Sequence, residues 1–599
     1  MRRILLALSA FFFAWAALVV ATGGIQWRIA GVLFRSRDPQ RALLALIALL
    51  LVQVFLFREP FERDVDRVVA LARRASPWLA GIVAAVAVAH ALRYGGCTAG
   101  GSDSYGYVSE AYGWETGHLP RAYDLPLSLP FPSGDVMQMP LGYRAGPAPH
   151  TMVPTYAPGL PLLMAVGIRL TGAIGPYLVV PISAGLFVWF TFCLGRRAAG
   201  PIGGLVAAIV AATSPIVLFQ SLWPMSDVPA GALWTGAIVG ALGTSRRSAL
   251  LGGLSAAIGL FVRPNLPLLA VVLALWIFAS ARGRERYVRA AIFCAPILPV
   301  VFSIAALNAM WYGSPFTSGY GRTADIYALA NVWPNLQRYP VWLWHSQSPW
   351  ILVSLLSAVA FVRPWPGRSA VALAWIFFLA TAGSYIAYSQ FEEWWYLRFL
   401  LPGLGAFYVL MAVGLTILAG LVARPWGKIS AAVIVLLIVK STTGFALDKS
   451  IFGPLKRSEH RYADVAEFIN HALPENAVVL AMQHSGNVRI WGGRLTLRYD
   501  FIDPEWAPRV VPELEQEGLH PYLTIDDWEE PDVKRHLGLA ADRPLPWPYI
   551  ARMRDSGGVT IYDLATTRAP AAPVVALEPE SSPQFSAPKE IVLKPRGTH

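Results

Sequence analysis

Apolar runs close to the length of a bilayer crossing recur from Ile4 to Phe445, and they restrict the fold before any motif is considered. A hydrocarbon core takes about 20 helical residues to cross, and in lipid every backbone amide must find its partner within the spanning element. The runs predict an α-helical polytopic membrane protein of about thirteen transmembrane helices. They lie near 4–22, 42–57, 77–93, 175–194, 202–220, 227–243, 249–262, 266–281, 290–311, 350–362, 369–389, 399–422 and 429–447. Charged residues are 14% of the chain, against about 25% in soluble domains. The first run follows Arg2 and Arg3 as a signal peptide would, but with so many runs behind it an uncleaved first span is expected.

The formal net charge of +12 does not point to nucleic acid, because the arginines gather in short loops. With the N-terminus inside, the loops carrying residues 58–74, Arg196 and Arg197, Arg246 and Arg247, residues 282–289, Arg363 and Arg368, and Arg424 and Lys428 are all cytoplasmic, as the positive-inside rule requires. The loops at 94–174, 221–226, 312–349 and 390–398 then lie outside. One loop disagrees: 23–41 should be external yet holds Arg28, Arg35, Arg37 and Arg41. Its part-alternating polarity and glycines predict a short β-ribbon. Cys97, Cys193 and Cys294 are scattered, without disulfide or zinc spacing.

Between the runs the chain divides into N-terminal spans (1–93), a first external loop (94–174), a transmembrane bundle (175–447), an extracytoplasmic α/β domain (448–567) and an Ala/Pro-rich tail expected to be disordered (568–599). Residues 159–171, GLPLLMAVGIRLT, are apolar but short and read as an interfacial helix. In the outer domain, ADVAEFINHAL has a helical period, while AVVLAM and VTIYDL read as strands. The loop QHSGNVRIWGG at 483–493 holds His484 and Arg489, for which a structural role is the expectation.

The stretch 95–117, GGCTAGGSDSYGYVSEAYGWETG, carries a lone acid behind a Gly-rich turn, just after the third span. A helix starting at Asp103 puts Asp103, Tyr107, Glu110 and Trp114 on one face, with Tyr105, Val108 and Tyr112 opposite. Asp103 is then either a reactive carboxylate or a helix N-cap, since Asp after Gly-Ser favours a helix start. Asp227 in PMSDVPA poses the same choice at the outer end of another span, where an ionisable group is a functional candidate.

Several segments resemble the C-type glycosyltransferases, polytopic enzymes that take sugars from polyprenyl-phosphate donors. The likeness is greatest to the bacterial branch related to protein O-mannosyltransferases and lipid A aminoarabinose transferases. It is carried by GGSDSYGYVSEA at 100–111, TYAPGLPLLMA at 155–165, WPMSDVPA at 223–230, FVRPNLPLL at 261–269, NAMWYGSPFTSGYG at 308–321 and YLRFLLPGLGAF at 396–407. With the intervening spans these cover most of 77–420. The resemblance implies transfer outside the cytoplasm of a bacterial inner membrane, with an acid of the first external loop as general base. Asp103 holds that position, although it is flanked by Ser102 and Ser104 where some members have two adjacent acids. A second carboxylate would come from Glu110 or Asp227.

Such chemistry needs a base for the acceptor hydroxyl and cations for the departing phosphate. Arg263 and Arg398 are the expected donor-phosphate ligands, since a guanidinium presents fixed donors to phosphate oxygens. Snorkelling anchors at the interface are the competing reading. Tyr107, Glu110, Asp227, His150 and Tyr156 are candidates for the acceptor or substrate side. No cofactor is required by the sequence. The metal ligands are undefined, and a divalent cation is compatible with the family. The expected partners are a polyprenyl-phosphate-linked sugar, membrane lipid, and an acceptor glycan, lipid or protein. A transporter or flippase of lipid-linked intermediates is the alternative from another class. The long external loop and the lack of paired inverted repeats weigh against it.

Overall fold

The computed structural model describes residues 1–22, 25–29, 32–36, 40–123, 127, 129–423, 425–553, 558–565 and 591–593. Among the described residues six helices are long and apolar enough to cross a membrane: Glu59–Tyr94, Gly159–Thr213, Arg284–Tyr312, Arg368–Ile386, Trp394–Leu421 and Trp426–Asp448. Large apolar side chains point outward, among them Phe55 at 94% and Trp78 at 81% exposure. So much exposed apolar surface is compatible with lipid and not with water. The chain is a multi-pass membrane protein.

The expected spans appear as helices, with instructive departures. Residues 58–74, expected as a cytoplasmic loop, are helical and join the second and third runs into Gln40–Tyr94, interrupted only at Phe57. The segment carries five Arg, two Glu and two Ala, all strong helix formers. Gly200 (φ 76°) breaks the helix Gly175–Thr213 before Pro201. The expected span 202–220 is divided again at Ser214, after which Pro215–Gln220 forms its own short helix. Asp227–Ala241, Arg246–Val262 and Pro267–Ser280 have 15, 17 and 14 residues, short of the ~20 that a perpendicular crossing takes. Helix length alone therefore does not fix thirteen crossings.

The largest correction concerns 312–362. The expected loop holds the helix Val332–Gln347, and the expected span 350–362 is a 3-10 helix, Pro349–Ala358, followed by a single α-turn. The two arms are bent by 108° at Ser348, whose φ is +71°. The result is a broken span or a re-entrant element where a straight helix was expected.

Trp394–Leu421 is the centre of the bundle, with 72% of its most apolar window buried, whereas Arg284–Tyr312 at 11% is peripheral. Small residues let neighbouring backbones approach the central helix closely. A Cβ on Gly414 would lie 1.9 Å from the Val353 carbonyl oxygen.

The segment 94–174 contributes, among its described residues, the helix Asp103–Thr116, a three-stranded sheet and, as expected, the helix Gly159–Thr171. The ribbon expected in 23–41 is the antiparallel pair Ile25–Ile29 and Val32–Ser36. The C-terminal part is built on a six-stranded mixed sheet. Its order is Ile591–Leu593, Tyr549–Met553, Val559–Asp563, His520–Asp526, Ala477–Leu480, Leu495–Leu497. Most of the tail expected to be disordered lies outside the described residues, but Ile591–Leu593 pairs with Tyr549–Met553 as a strand.

The boundary drawn between the first loop and the outer domain is not a physical one. Leu127, Phe131 and Met137 share a core with Val478, Leu497 and Leu523. The Arg498 amide donates to the Met137 carbonyl at 2.7 Å, and Arg489 donates to the Gln138 carbonyl at 2.8 Å. Arg489 and His484 are buried, consistent with the structural role expected of them.

Overpacking the closest helix crossing gives a first test. Gly414→Leu should destabilise the purified protein by about 1–3 kcal/mol or more, read as a lower thermal unfolding midpoint, while an equally apolar change on the lipid side, Leu298→Ile, should leave the midpoint unchanged.

Candidate active site

The span that closes at Tyr94 leads through a glycine-rich turn into Asp103–Thr116. Ser102 occupies the N-cap and its side chain makes no capping bond. Asp103 does not cap the helix either. One of its carboxylate oxygens accepts from the Tyr156 hydroxyl at 2.7 Å and the other from Arg398 Nη1 at 3.1 Å. Its carboxylate is thus held by Tyr156 and Arg398 and not by a capping bond to the helix.

Arg398 Nη1 also lies 4.0 Å from Asp227 Oδ2, and Asp227 Oδ1 pairs with Arg263 Nη2. Asp103, Arg398, Asp227 and Arg263 thus form one chain of alternating charge. Both guanidinium groups sit over the same ring, Phe399, at 5.4 Å for Arg398 and 5.6 Å for Arg263. In chain order the side-chain exposures are 32% at Asp103, 17% at Arg398, 1% at Asp227 and 12% at Arg263. Asp103 is reachable from outside, and Asp227 is closed beneath the arginines. Arg398 Nε and Arg263 Nη1 are buried without a hydrogen-bond partner among the described residues, leaving each guanidinium a donor to offer.

Tyr107 and Tyr156 are brought to Asp103 as expected, but as a buried support. Their rings pack at 4.6 Å. The Tyr107 hydroxyl donates to Ser226 Oγ at 3.0 Å, and the Tyr156 hydroxyl also pairs with Ser102 Oγ at 2.6 Å. With 5% and 4% exposure, neither faces an incoming acceptor.

Two expected members lie elsewhere. Glu110 is fully buried, bonded through Oε1 to Trp114 Nε1 at 3.0 Å, with Oε2 unpartnered among the described residues. Burial lifts its carboxyl well above the ordinary carboxylate range, against the Trp114 bond. A carboxyl sealed in this way does not reach the Asp103 cluster as a second anion. His150 sits exposed at a sheet turn with φ +55°, its ring edge-on to Tyr123 at 5.8 Å. It bonds to nothing in the Asp103 cluster.

The sequence reading missed the aromatic wall beside Arg263. Asn265 Nδ2 donates to the Tyr385 hydroxyl at 3.1 Å, and Tyr385 stacks on Phe399 at 5.2 Å. Tyr388 meets Phe399 at 5.0 Å and Tyr327 at 5.2 Å, and Tyr320 meets Tyr156 at 5.8 Å. Asn265 and Phe399 lie inside quoted motifs and were within reach, whereas Tyr385 lies in an apolar helix where an interfacial anchor reads the same.

Among the described residues no group of three His, Cys, Asp or Glu could hold a metal ion. The two clustered carboxylates carry arginines where a cation would stand, so the donor set does not fit a metal and no step below runs through one.

No protein-family model matches the chain, and no curated protein does. Solved structures similar to it include ArnT from Cupriavidus metallidurans bound to undecaprenyl phosphate, at 12% identity and TM-score 0.49, covering 81% of this chain and 99% of that one. The apo oligosaccharyltransferase of Archaeoglobus fulgidus is similar at 12% identity and TM-score 0.45, over 86% of this chain and 75% of that one. A mutant of the arabinofuranosyltransferase AftD from Mycobacteria is similar at 15% identity and TM-score 0.48, over 83% of this chain but 42% of its own. Likeness at this level assigns neither a reaction nor the role of any residue, and both rest on the geometry above.

Glu110 supplies a test by titration. A carboxyl whose folded pKa is raised contributes fully below its unfolded pKa, and that contribution drains away as pH rises through the folded value. Glu110→Gln should therefore match the wild-type unfolding midpoint in acid and exceed it in alkali, measured by thermal unfolding in detergent across pH.

Proposed function

We propose that this chain is an inverting membrane glycosyltransferase of the C type. It moves a sugar from a polyprenyl-phosphate donor to an acceptor hydroxyl on the extracytoplasmic side. The observation that carries this reading is the reachable Asp103 carboxylate held in one charge chain with two arginines at the outer end of the bundle.

A carboxylate accepts hydrogen bonds at about four lone-pair positions, so Asp103 keeps room for an acceptor hydroxyl beside Tyr156 and Arg398. As that oxygen attacks the anomeric carbon, its proton passes to Asp103 and the bond from the anomeric carbon to the phosphate oxygen breaks. The departing group gains one negative charge as Asp103 loses one. Arg398, tied to Asp103 beforehand, is then free to serve the phosphate. The unpartnered Arg398 Nε and Arg263 Nη1 offer further donors to its oxygens. Asp227, sealed below, holds both guanidinium groups in place and stays charged throughout. Attack from the side opposite the leaving phosphate inverts the anomeric centre.

Transfer is tested with the purified protein in proteoliposomes, supplied with radiolabelled undecaprenyl-phosphate hexose or pentose and an acceptor-containing envelope fraction. Asp103→Asn should insert and fold as wild type yet lose turnover on the order of 10²–10⁴-fold. Full activity in that variant would remove Asp103 from the mechanism. Movement of labelled lipid between leaflets with no transfer by the wild type would favour a flippase instead.

A further inference from the structure

The outer domain reaches the site through one ring. Tyr462 lies on the helix Pro454–Ala472 and is 4% exposed. It packs so closely over Gly100 that a Cβ there would lie 2.0–2.3 Å from Tyr462 ring carbons. The next residue, Gly101, has φ +60°, and Gln483 Oε1 and the Tyr462 hydroxyl crowd its free side at 3.2 and 3.5 Å. Two residues later comes Asp103. The turn that sets the start of the acid-bearing helix is thus pressed into shape by the C-terminal part of the chain. A second contact acts on the same helix, since a Cβ on Gly486 would fall 2.2 Å from the Tyr105 ring.

The ring is itself fixed by buried charge. Arg461 donates to the Tyr462 hydroxyl at 2.8 Å and to Asp526 Oδ1 at 2.9 Å, and it also pairs with Glu459 at 3.2 Å. Its guanidinium carbon sits 4.2 Å from the Tyr462 ring centre. On the other side, the His484 ring lies at 5.0 Å, and Asn487 Nδ2 donates to the Tyr462 carbonyl at 2.7 Å. Buried ion pairs are poor sources of net stability, and their best-attested use is to enforce one arrangement over its alternatives. Here the arrangement enforced is the orientation of a single tyrosine against a glycine turn.

We propose that Tyr462 is a positioning residue for the Asp103 carboxylate, and that the outer domain acts as a clamp setting the base against Arg398 and Tyr156. The inference rests on Asp103 being the base. It requires the ring of Tyr462 and not its hydroxyl, because the ring fills the space over Gly100.

The experiment uses the full-length protein in proteoliposomes, with Tyr462→Ala, Tyr462→Phe and Gly100→Ala, read by turnover, donor KM and amide hydrogen exchange over 95–104. Tyr462→Ala is expected to lower kcat on the order of 10²-fold, the scale of a misplaced catalytic group. Donor KM should stay near wild type, and exchange across the turn should quicken. Tyr462→Phe should restore both kcat and protection. Gly100→Ala should be damaging alone and add little once Tyr462→Ala has removed the ring. Wild-type kcat and exchange in Tyr462→Ala would overturn the proposal, as would a Tyr462→Phe as impaired as the alanine variant or additive losses in the double variant. The exchange arm reads the clamp even if the wild type transfers no sugar, an outcome that would count against the proposed function alone. Should Tyr462→Ala fail to fold, the contrast between Tyr462→Phe and Gly100→Ala decides between ring and hydroxyl.

Discussion

Four charges in a row at the outer mouth of an apolar bundle are the constraint on which the rest of the structure turns. An isolated ion among so many apolar side chains would cost several kcal/mol. The chain Asp103–Arg398–Asp227–Arg263 removes most of that cost by alternation, and its formal sum is zero. Its members come from four separate stretches: the external loop, the ends of two helices and the approach to the central helix. Each fixes the others' place, so the neutral set works as a joint between segments far apart in sequence. A neutral set also attracts no anion on its own. Under the proposed reaction, a phosphate would be served best once one carboxylate had been protonated, which would couple the arginines to the acceptor's proton.

The scaffold supplies what that joint needs. Trp394–Leu421 is the most buried of the spanning helices, and its entry turn, Trp394–Leu400, carries both Arg398 and Phe399. Phe399 lies under both guanidinium groups and against Tyr385 and Tyr388, so it spaces the cations while its face partly offsets their charge. On the opposite side, the Asp103 helix is backed by the C-terminal sheet, which shares an apolar core with the first external loop. The Asp103 carboxylate therefore stands between the entry turn of the central helix and the C-terminal part of the chain, and neither is a free-standing loop.

Hydropathy made the membrane architecture legible, because twenty-residue apolar runs have few other uses. It erred where helix propensity carried a helix through charged residues at 58–74, and where proline and a left-handed Ser348 turned 312–362 into a bent pair. A period of 3.6 placed Asp103 and Tyr107 on one face, and both do turn toward the bundle. Periodicity says nothing about depth, which is why Glu110, on the same face two turns from Asp103, was read as an acceptor-side candidate although Trp114 and its neighbours seal it in. Arg263 and Arg398 were legible as cations at helix mouths. Their pairing with Asp227 and Asp103 was not, because it joins residues 36 and 295 positions apart. The packing of Tyr462 on Gly100 is another long-range contact of that kind, and a lone tyrosine in an amphipathic helix gives no signal of it.

Three carboxylates were available to act as the base, and burial separates them. Glu110 is sealed, out of reach of an acceptor, and its burial disfavours the charged form. Asp227 is closed off at 1% exposure, and protonating it would strip Arg263 of its partner and leave a buried cation uncompensated. Asp103 alone combines exposure with an arginine that retains a second carboxylate within 4.0 Å after Asp103 is neutralised. Under the proposed reaction the proton enters at the open end of the chain, at Asp103, while the charge sealed at Asp227 stays constant.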